Sequence, residues 1–424
     1  LKIEGSSRRI TREIAADWQK SAIAPKDYPR RMDTITHGIA GALIGKAVFG
    51  GEDLFPSKPM RRARIVTWSL VLGAVFPDSD ILRGWISPDA MLILTWHRSI
   101  THSLVCMPIF ALALAALTRW FARWRKWDAP TFAALTGIYA VGLLSHIFLD
   151  LVTTFGTMIW SPLAWSRPAW DLIFIIDLTL TALLLGPQIL AWVYRRPEGL
   201  KNRAIITWSV SALASLGVAF FLKNVGAPIS AQTAVTIIML LAAVCLLPAI
   251  RFKGLRVGYA TWNRAGLTAA VLYLAAAFYA HHVALERVEK FASLFELQAQ
   301  SLGALPLPPS LWHWDGLVNG PHGVYEVRLD LSDPAPQSSI EHRYYPDAIP
   351  NKYIDAAKRL REVQEVLWFS RFPVTRFHLE GRDAIVEIYD ARFPQVHRDR
   401  PAPFTYRVKM DESARVISQG WAQD

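Results

Sequence analysis

The chain has 424 residues, of which 52% are apolar and 17 are Trp. Its apolar residues come in blocks rather than singly, which exceeds what one soluble core needs and reads as a polytopic membrane protein. The net charge of +11 comes from Lys and Arg beside apolar blocks, with no basic groove motif, so nucleic acid is excluded as a partner. The two cysteines, Cys106 and Cys245, both lie in apolar runs, which leaves neither a disulfide framework nor a Cys-based zinc motif.

Residues 1–31 are polar and basic, begin with Leu and lack the apolar core of a signal peptide. They are expected to be a disordered or non-native arm ahead of Met32. Apolar segments follow at about 35–49, 65–82, 100–120, 131–151, 172–194, 204–222, 231–250 and 265–282, each bounded by charged, Pro or Gly residues. The expected fold is therefore an all-α polytopic bundle of about eight segments over 32–283. The stretches 58–64, 119–126, 195–203 and 251–264 hold sixteen Lys and Arg, whereas the opposite loops hold four, Arg83, Arg98, Arg167 and Lys223. That bias places the sixteen in the cytoplasm. The tail, and the segment ends described below, then lie on the outer face.

From Ala284 the apolar runs shorten and charge becomes dense. A helical stretch and the Pro-rich Leu305–Pro309 are expected to link, over 284–309, to a soluble α+β domain over 310–424. Strands are expected at Gly323–Leu331, Val374–Leu379, Ala384–Tyr389 and Phe404–Lys409, and an amphipathic helix at Lys352–Phe369.

The residues suited to chemistry cluster at the outer segment ends. His146 and Asp150, four apart, share one helix face, and Asp33 and His37 repeat that spacing. Asp33 could ligate, or could orient His37 through its other ring nitrogen. Asp78 and Asp80 follow the helix-stopping Pro77, where alternate carboxylates can turn toward one cation. His97 and His102 sit about 140° apart on a helix, so they meet at one centre only if His97 precedes the helix. Ionisable groups at a membrane edge are costly to desolvate unless they pair or hold an ion. His37, Asp78, Asp80, His97, His102, His146 and Asp150 are therefore candidate metal ligands. Mixed imidazole and carboxylate donors suit zinc, then manganese or iron, as one ion or two. Arg98 could hold a phosphate or carboxylate oxygen or serve as an interfacial anchor, and Asp80 or Asp177 could accept a proton. Asp171 reads as a helix cap.

The motifs Met-Asp-x-x-Thr-His (32–37), Pro-Asp-x-Asp (77–80), His-Arg-x-x-Thr-His-Ser (97–103) and Ser-His-x-x-x-Asp (145–150), with Thr-Thr-x-Gly-Thr (153–157), appear in order. Over about residues 32–180 the chain thereby resembles the YdjM-type family of inner-membrane proteins. The resemblance implies a multi-pass, metal-dependent hydrolase of the bacterial inner membrane, with the seven candidate ligands on motif positions. A site at the bilayer edge suits membrane lipids or lipid-like substrates, so ester or phosphoester hydrolysis is the expected reaction. A transporter, or a regulatory scaffold that metal merely stabilises, is the alternative.

Overall fold

The computed structural model describes residues 34–49, 60–87, 89, 91–224, 231–251, 255, 257–308, 310–333, 342–393 and 401–422. The expected arm and Asp33 lie outside the described residues.

Helices α1 (Thr34–Val48) and α2 (Met60–Val75) open the bundle, and a 3-10 turn at Phe76–Ile81 and short helix α3 (Leu82–Ile86) follow. After α4 (Leu92–Thr95) and a 3-10 turn at Ile100–His102 come α5 (Met107–Trp124), α6 (Phe132–Leu151), α7 (Leu178–Tyr194), α8 (Leu200–Asn224), α9 (Ala231–Cys245), α10 (Leu247–Arg251) and α11 (Tyr259–Leu294). Pro77 sits in the first turn after α2, where its missing N–H costs nothing and the tight turn replaces the helix.

Helix α2 packs between α1 and α6. The fit depends on absent side chains: a Cβ at Gly41 would lie 2.7 Å from the Leu70 carbonyl oxygen, and one at Gly142 would lie 2.8 Å from it. Small residues let the three backbones meet, as in packed membrane helices. This contact sets the distance between elements that carry the candidate ligands.

The eight expected crossings are not supported. Among the described residues, Phe132–Leu151, Ala234–Arg251 and Tyr259–Leu294 are long and apolar enough to cross a membrane. A fourth crossing results if Leu92–His102 and Met107–Trp124, bent by 67°, count as one span. Helices α1, α2 and α7 have 15, 16 and 17 residues, which gives lengths of about 23–26 Å against a hydrocarbon core of about 30 Å. Apolar blocks counted from sequence include those covered by neighbouring protein, which inflated the expectation.

The remainder forms two four-stranded antiparallel sheets. One has β1 (Ser301–Leu307), β2 (His313–Gly320), β3 (Gly323–Asp330) and β4 (His342–Pro346) in order; the other has β5 (Pro373–Glu380), β6 (Asp383–Asp390), β7 (Tyr406–Met410) and β8 (Val416–Trp421). Helices α12 (Lys352–Lys358) and α13 (Arg361–Phe369) lie between them in sequence. The expected strands appear, but the expected Leu305–Pro309 linker falls partly in β1. As an edge strand, β1 tolerates Pro306 without breaking the ladder.

Helix α11 joins bundle and sheets. Its Ala270, Tyr273 and Ala277 pack with Ala40, Leu43 and Leu184 of the bundle. Further on, its Ala284, Val288 and Phe291 pack with Trp314, Val318 and Val327 of the first sheet. The second sheet and α13 build a core that takes in Leu94 of α4 and Met91 and Phe155 from the bundle's loops.

Candidate metal centre

Four segments deliver the cluster. His37 comes from the first turns of α1, Asp78 from the turn after α2, His102 from the turn before α5, and His146 and Asp150 from the end of α6. His146 and Asp150 lie one helical turn apart and so share a face. His102 and His146 are fully buried, and Asp150 and Asp78 nearly so.

Their polar atoms face one another. The His102 and His146 Nε2 atoms are 3.0 Å apart. Asp150 Oδ2 lies 3.2 Å from His102 Nε2 and 3.4 Å from His146 Nε2, and Asp150 Oδ1 lies 3.3 Å from His37 Nε2. Asp78 Oδ1 completes the group at 3.4 Å from His146 Nε2 and 3.7 Å from His102 Nε2. The His37 and His146 rings stack with centroids 3.8 Å apart. Two overlapping triads of possible ligands result, His37–His146–Asp150 and Asp78–His102–His146.

The surroundings fix the tautomers. His146 Nδ1–H donates to the Ala74 carbonyl at 2.6 Å, which leaves Nε2 with its lone pair. Thr101 directs its hydroxyl to Asp80 Oδ2 at 3.3 Å, and its oxygen accepts from His102 Nδ1 at 3.0 Å. The His102 Nε2 lone pair therefore confronts that of His146. Two lone pairs at 3.0 Å with carboxylates on either side repel unless a cation or proton lies between them. Donors about 2.1 Å from one ion lie about 3.0 Å apart on an octahedral edge and about 3.4 Å apart in a tetrahedron. The observed 3.0–3.7 Å spacings and the donor chemistry suit a metal ion in either of the two triads, which together take in His37, Asp78, His102, His146 and Asp150.

A second ring of residues holds these five. Asp80 Oδ1 lies 3.1 Å from His97 Nδ1, and Asp80 Oδ2 accepts the Arg98 backbone N–H at 2.9 Å. Asp80 and His97 thus pair beside the centre, and Asp80 Oδ2 also lies 3.3 Å from Thr101 Oγ1 and 3.5 Å from His102 Nδ1, so it touches a candidate ligand. Thr34 donates to Asp78 Oδ2 at 2.5 Å. Arg98 has φ 59°, a left-handed conformation that costs a non-glycine residue about 1–2 kcal/mol. That turn aims Nη2 at Asp150 Oδ1, 2.8 Å away, while Nη1 donates to the Asp150 carbonyl and to Thr153 Oγ1. Asp150 sits at the negative end of the α6 dipole, where a carboxylate needs such compensation. The Arg98 guanidinium is buried, with Nη1 and Nη2 bonded to Asp150 and Thr153 and Nε without a partner.

Asp177 stands apart from the cluster. Its Oδ1 caps α7 by accepting Leu180 N–H at 2.8 Å, and its Oδ2 accepts from Tyr273 and Ser310. Asp171, expected as a cap, instead pairs with Arg371 of the C-terminal region at 2.7 Å. Sequence reasoning missed Thr34, Thr101 and Thr153, although all lie in or beside the motifs. It also missed Arg167, counted only as a loop cation, which donates to the carbonyls of Leu94, His97 and Gly156. Burial, with Arg98 and Arg392 close by, pushes the Arg167 guanidinium down to about 9, which keeps it charged at neutral pH.

No curated protein and no solved structure matches the chain. Among protein families, the one described as YdjM inner membrane protein matches residues 32–247, just over half of the chain and all of the segments that build the cluster. The chain is a member of the YdjM inner-membrane protein family.

Proposed function

We propose that this chain is a membrane-bound, metal-dependent hydrolase acting on an ester, foremost a phosphoester, of a lipid-like substrate at the outer face of the inner membrane. The observation that carries the reading is the confrontation of three imidazole Nε2 atoms and two carboxylates in a buried cluster. We place one zinc-class ion among His37, Asp78, His102, His146 and Asp150. Such an ion, when bound, would lower the pKa of a water and polarise the attacked group.

The protein's own residues would take the remaining roles. Asp80 orients His97, the most exposed imidazole of the cluster with 12% of its side chain open. His97 is thus the better placed proton carrier, with Asp80 as its orienting partner. Arg98 holds Asp150 in register. Arg83 stacks on Trp96 with its guanidinium carbon 3.8 Å from the ring centroid and is exposed. Its planar fork is free to meet a phosphate oxygen.

Lipid access is supported by the exposed apolar residues beside the ligands. Ile35 is 75% exposed two residues from His37, and Ile86 is 85% exposed beyond Asp80. Trp160, Trp165 and Trp170 are exposed on the loop after α6, in keeping with an interfacial aromatic belt. The test is purification in detergent, elemental analysis and a screen of lipid phosphoesters. Full turnover by His146→Ala, or absence of metal from active wild-type protein, would sink the reading.

A further inference from the structure

The C-terminal domain does not simply follow the bundle; it reaches the metal centre. Arg392, just after β6, has only 2% of its side chain exposed. Its Nε bonds Asp390 Oδ2, its Nη2 donates to the Phe369 carbonyl and its Nη1 donates to the Thr154 carbonyl, each at 2.8 Å. Thr154 lies between Thr153, which receives Arg98 Nη1, and Phe155. The Phe155 ring meets Phe369, Phe393 and Phe404 of the domain at 5.2–6.4 Å. On its bundle side the same ring meets the His97 ring at 5.8 Å and the Arg98 guanidinium at 5.2 Å.

We propose that the C-terminal domain is part of the metal centre's support, and that Arg392 is a positioning residue that fixes Arg98 against Asp150 through Thr154 and Phe155. The proposal rests on the reading of the cluster as a metal centre. A buried guanidinium bridging two carbonyls and a carboxylate leaves the segment little freedom, because each bond lost would strand a buried polar group. The domain thus adds a buried anchor to segment 153–155, beside the bundle's own hold through Arg98 on Thr153 and Arg167 on Gly156. Arg98 bonds this segment and Asp150 with one guanidinium, so a shift of the segment pulls on a candidate ligand. Residues that orient ligands change metal affinity when removed.

The experiment uses the full chain in detergent and two readouts, zinc affinity by competition with a chelator and hydrogen exchange at residues 96–104 and 150–158. For Arg392→Gln we expect zinc affinity to fall by about tenfold to a hundredfold and exchange to quicken in both segments. Arg392→Lys, which keeps a charged donor, should recover part of each. Val318→Ala, which loosens the first sheet without touching this contact, should lower the unfolding midpoint but leave zinc affinity within about twofold. If Arg392→Gln fails to fold, Phe155→Leu replaces it and must give both changes. An Arg392→Gln protein with wild-type affinity and exchange overturns the proposal. A wild-type chain that takes up no zinc sinks the metal reading instead, and the exchange result then decides this one.

Discussion

Gly142→Ala tests whether helix contact sets the geometry of the centre. The new methyl would lie 2.8 Å from the Leu70 carbonyl oxygen and 3.1 Å from Ala74 N, whereas carbon–oxygen contacts settle near about 3.3 Å or more. Helices α2 and α6 must then part by about 0.5 Å. The Ala74 carbonyl belongs to the backbone that would move, and it accepts His146 Nδ1–H at 2.6 Å. Its displacement loosens the bond that fixes the His146 tautomer and ring orientation. Overpacking of this kind costs about 1–3 kcal/mol of stability. Weakening a partner of a ligating histidine costs about tenfold to a hundredfold in metal affinity, or about 1.4–2.8 kcal/mol. Zinc competition and thermal unfolding in detergent measure the two. Gly137→Ala is the control, because a Cβ there meets nothing within 4 Å on the same helix. Wild-type affinity and midpoint in Gly142→Ala, or an equal loss in Gly137→Ala, would refute the reasoning.

Asp150→Ala and Asp177→Ala should separate ligand from scaffold. The first should strip bound metal, while the second should keep it in elemental analysis but lose about 2 kcal/mol or more of stability through the lost cap and buried hydrogen bonds. The first sheet carries a pH dependence of its own. Burial and neighbouring Glu326 push the Asp315 carboxyl up to about 7, and Arg328, 3.5 Å away, and Arg343 offset only part of this. The folded chain thus keeps a proton that the unfolded chain releases from about pH 4 upward. Stability from this group is greatest at low pH, falls as pH rises toward 7 and is flat above. Unfolding at pH 5 and pH 8 should show a loss of about 2–3 kcal/mol that Asp315→Asn removes; an unchanged loss in Asp315→Asn would rule the assignment out.

The motif residues were legible because their spacing is local. His146 and Asp150 share a helix face, and Pro77 forces the turn that presents Asp78, so the sequence names these positions without tertiary information. The division between inner and outer residues was not legible. Asp80 and Asp78 are alike in sequence, and only the 3-10 turn directs one toward His97 and the other toward His146. Arg98 reads as a free cation until its φ of 59° is known. Hydropathy could not separate lipid-facing from protein-facing apolar residues. Leu43 and Leu70, fully buried, count the same as exposed Leu213 and Leu240, so short helices within the protein passed for crossings. In the tail, the prolines of Leu305–Pro309 hid β1, because an edge strand accepts what a central strand would not.

The distribution of polar groups along α1 bears on whether the cluster performs chemistry or lies on a conduction route. His37 and Thr34 stand at one end of the helix, joined to Asp150 and Asp78. At the other end Lys46 donates to Gln188 at 2.7 Å, and the Arg264 guanidinium donates to the Ala47 carbonyl at 3.1 Å. Between them the helix presents Gly41 and Leu43 to its neighbours, with Gly41 pressed on the Leu70 backbone. A pathway for ions needs ligating groups spaced along it, and between the two ends of α1 the contact with α2 is backbone on backbone, with no room for a methyl group. The donors instead crowd one end, under a domain whose arginine reaches their loop. Buried donors held from both bundle and domain suit a fixed ion better than a transported one.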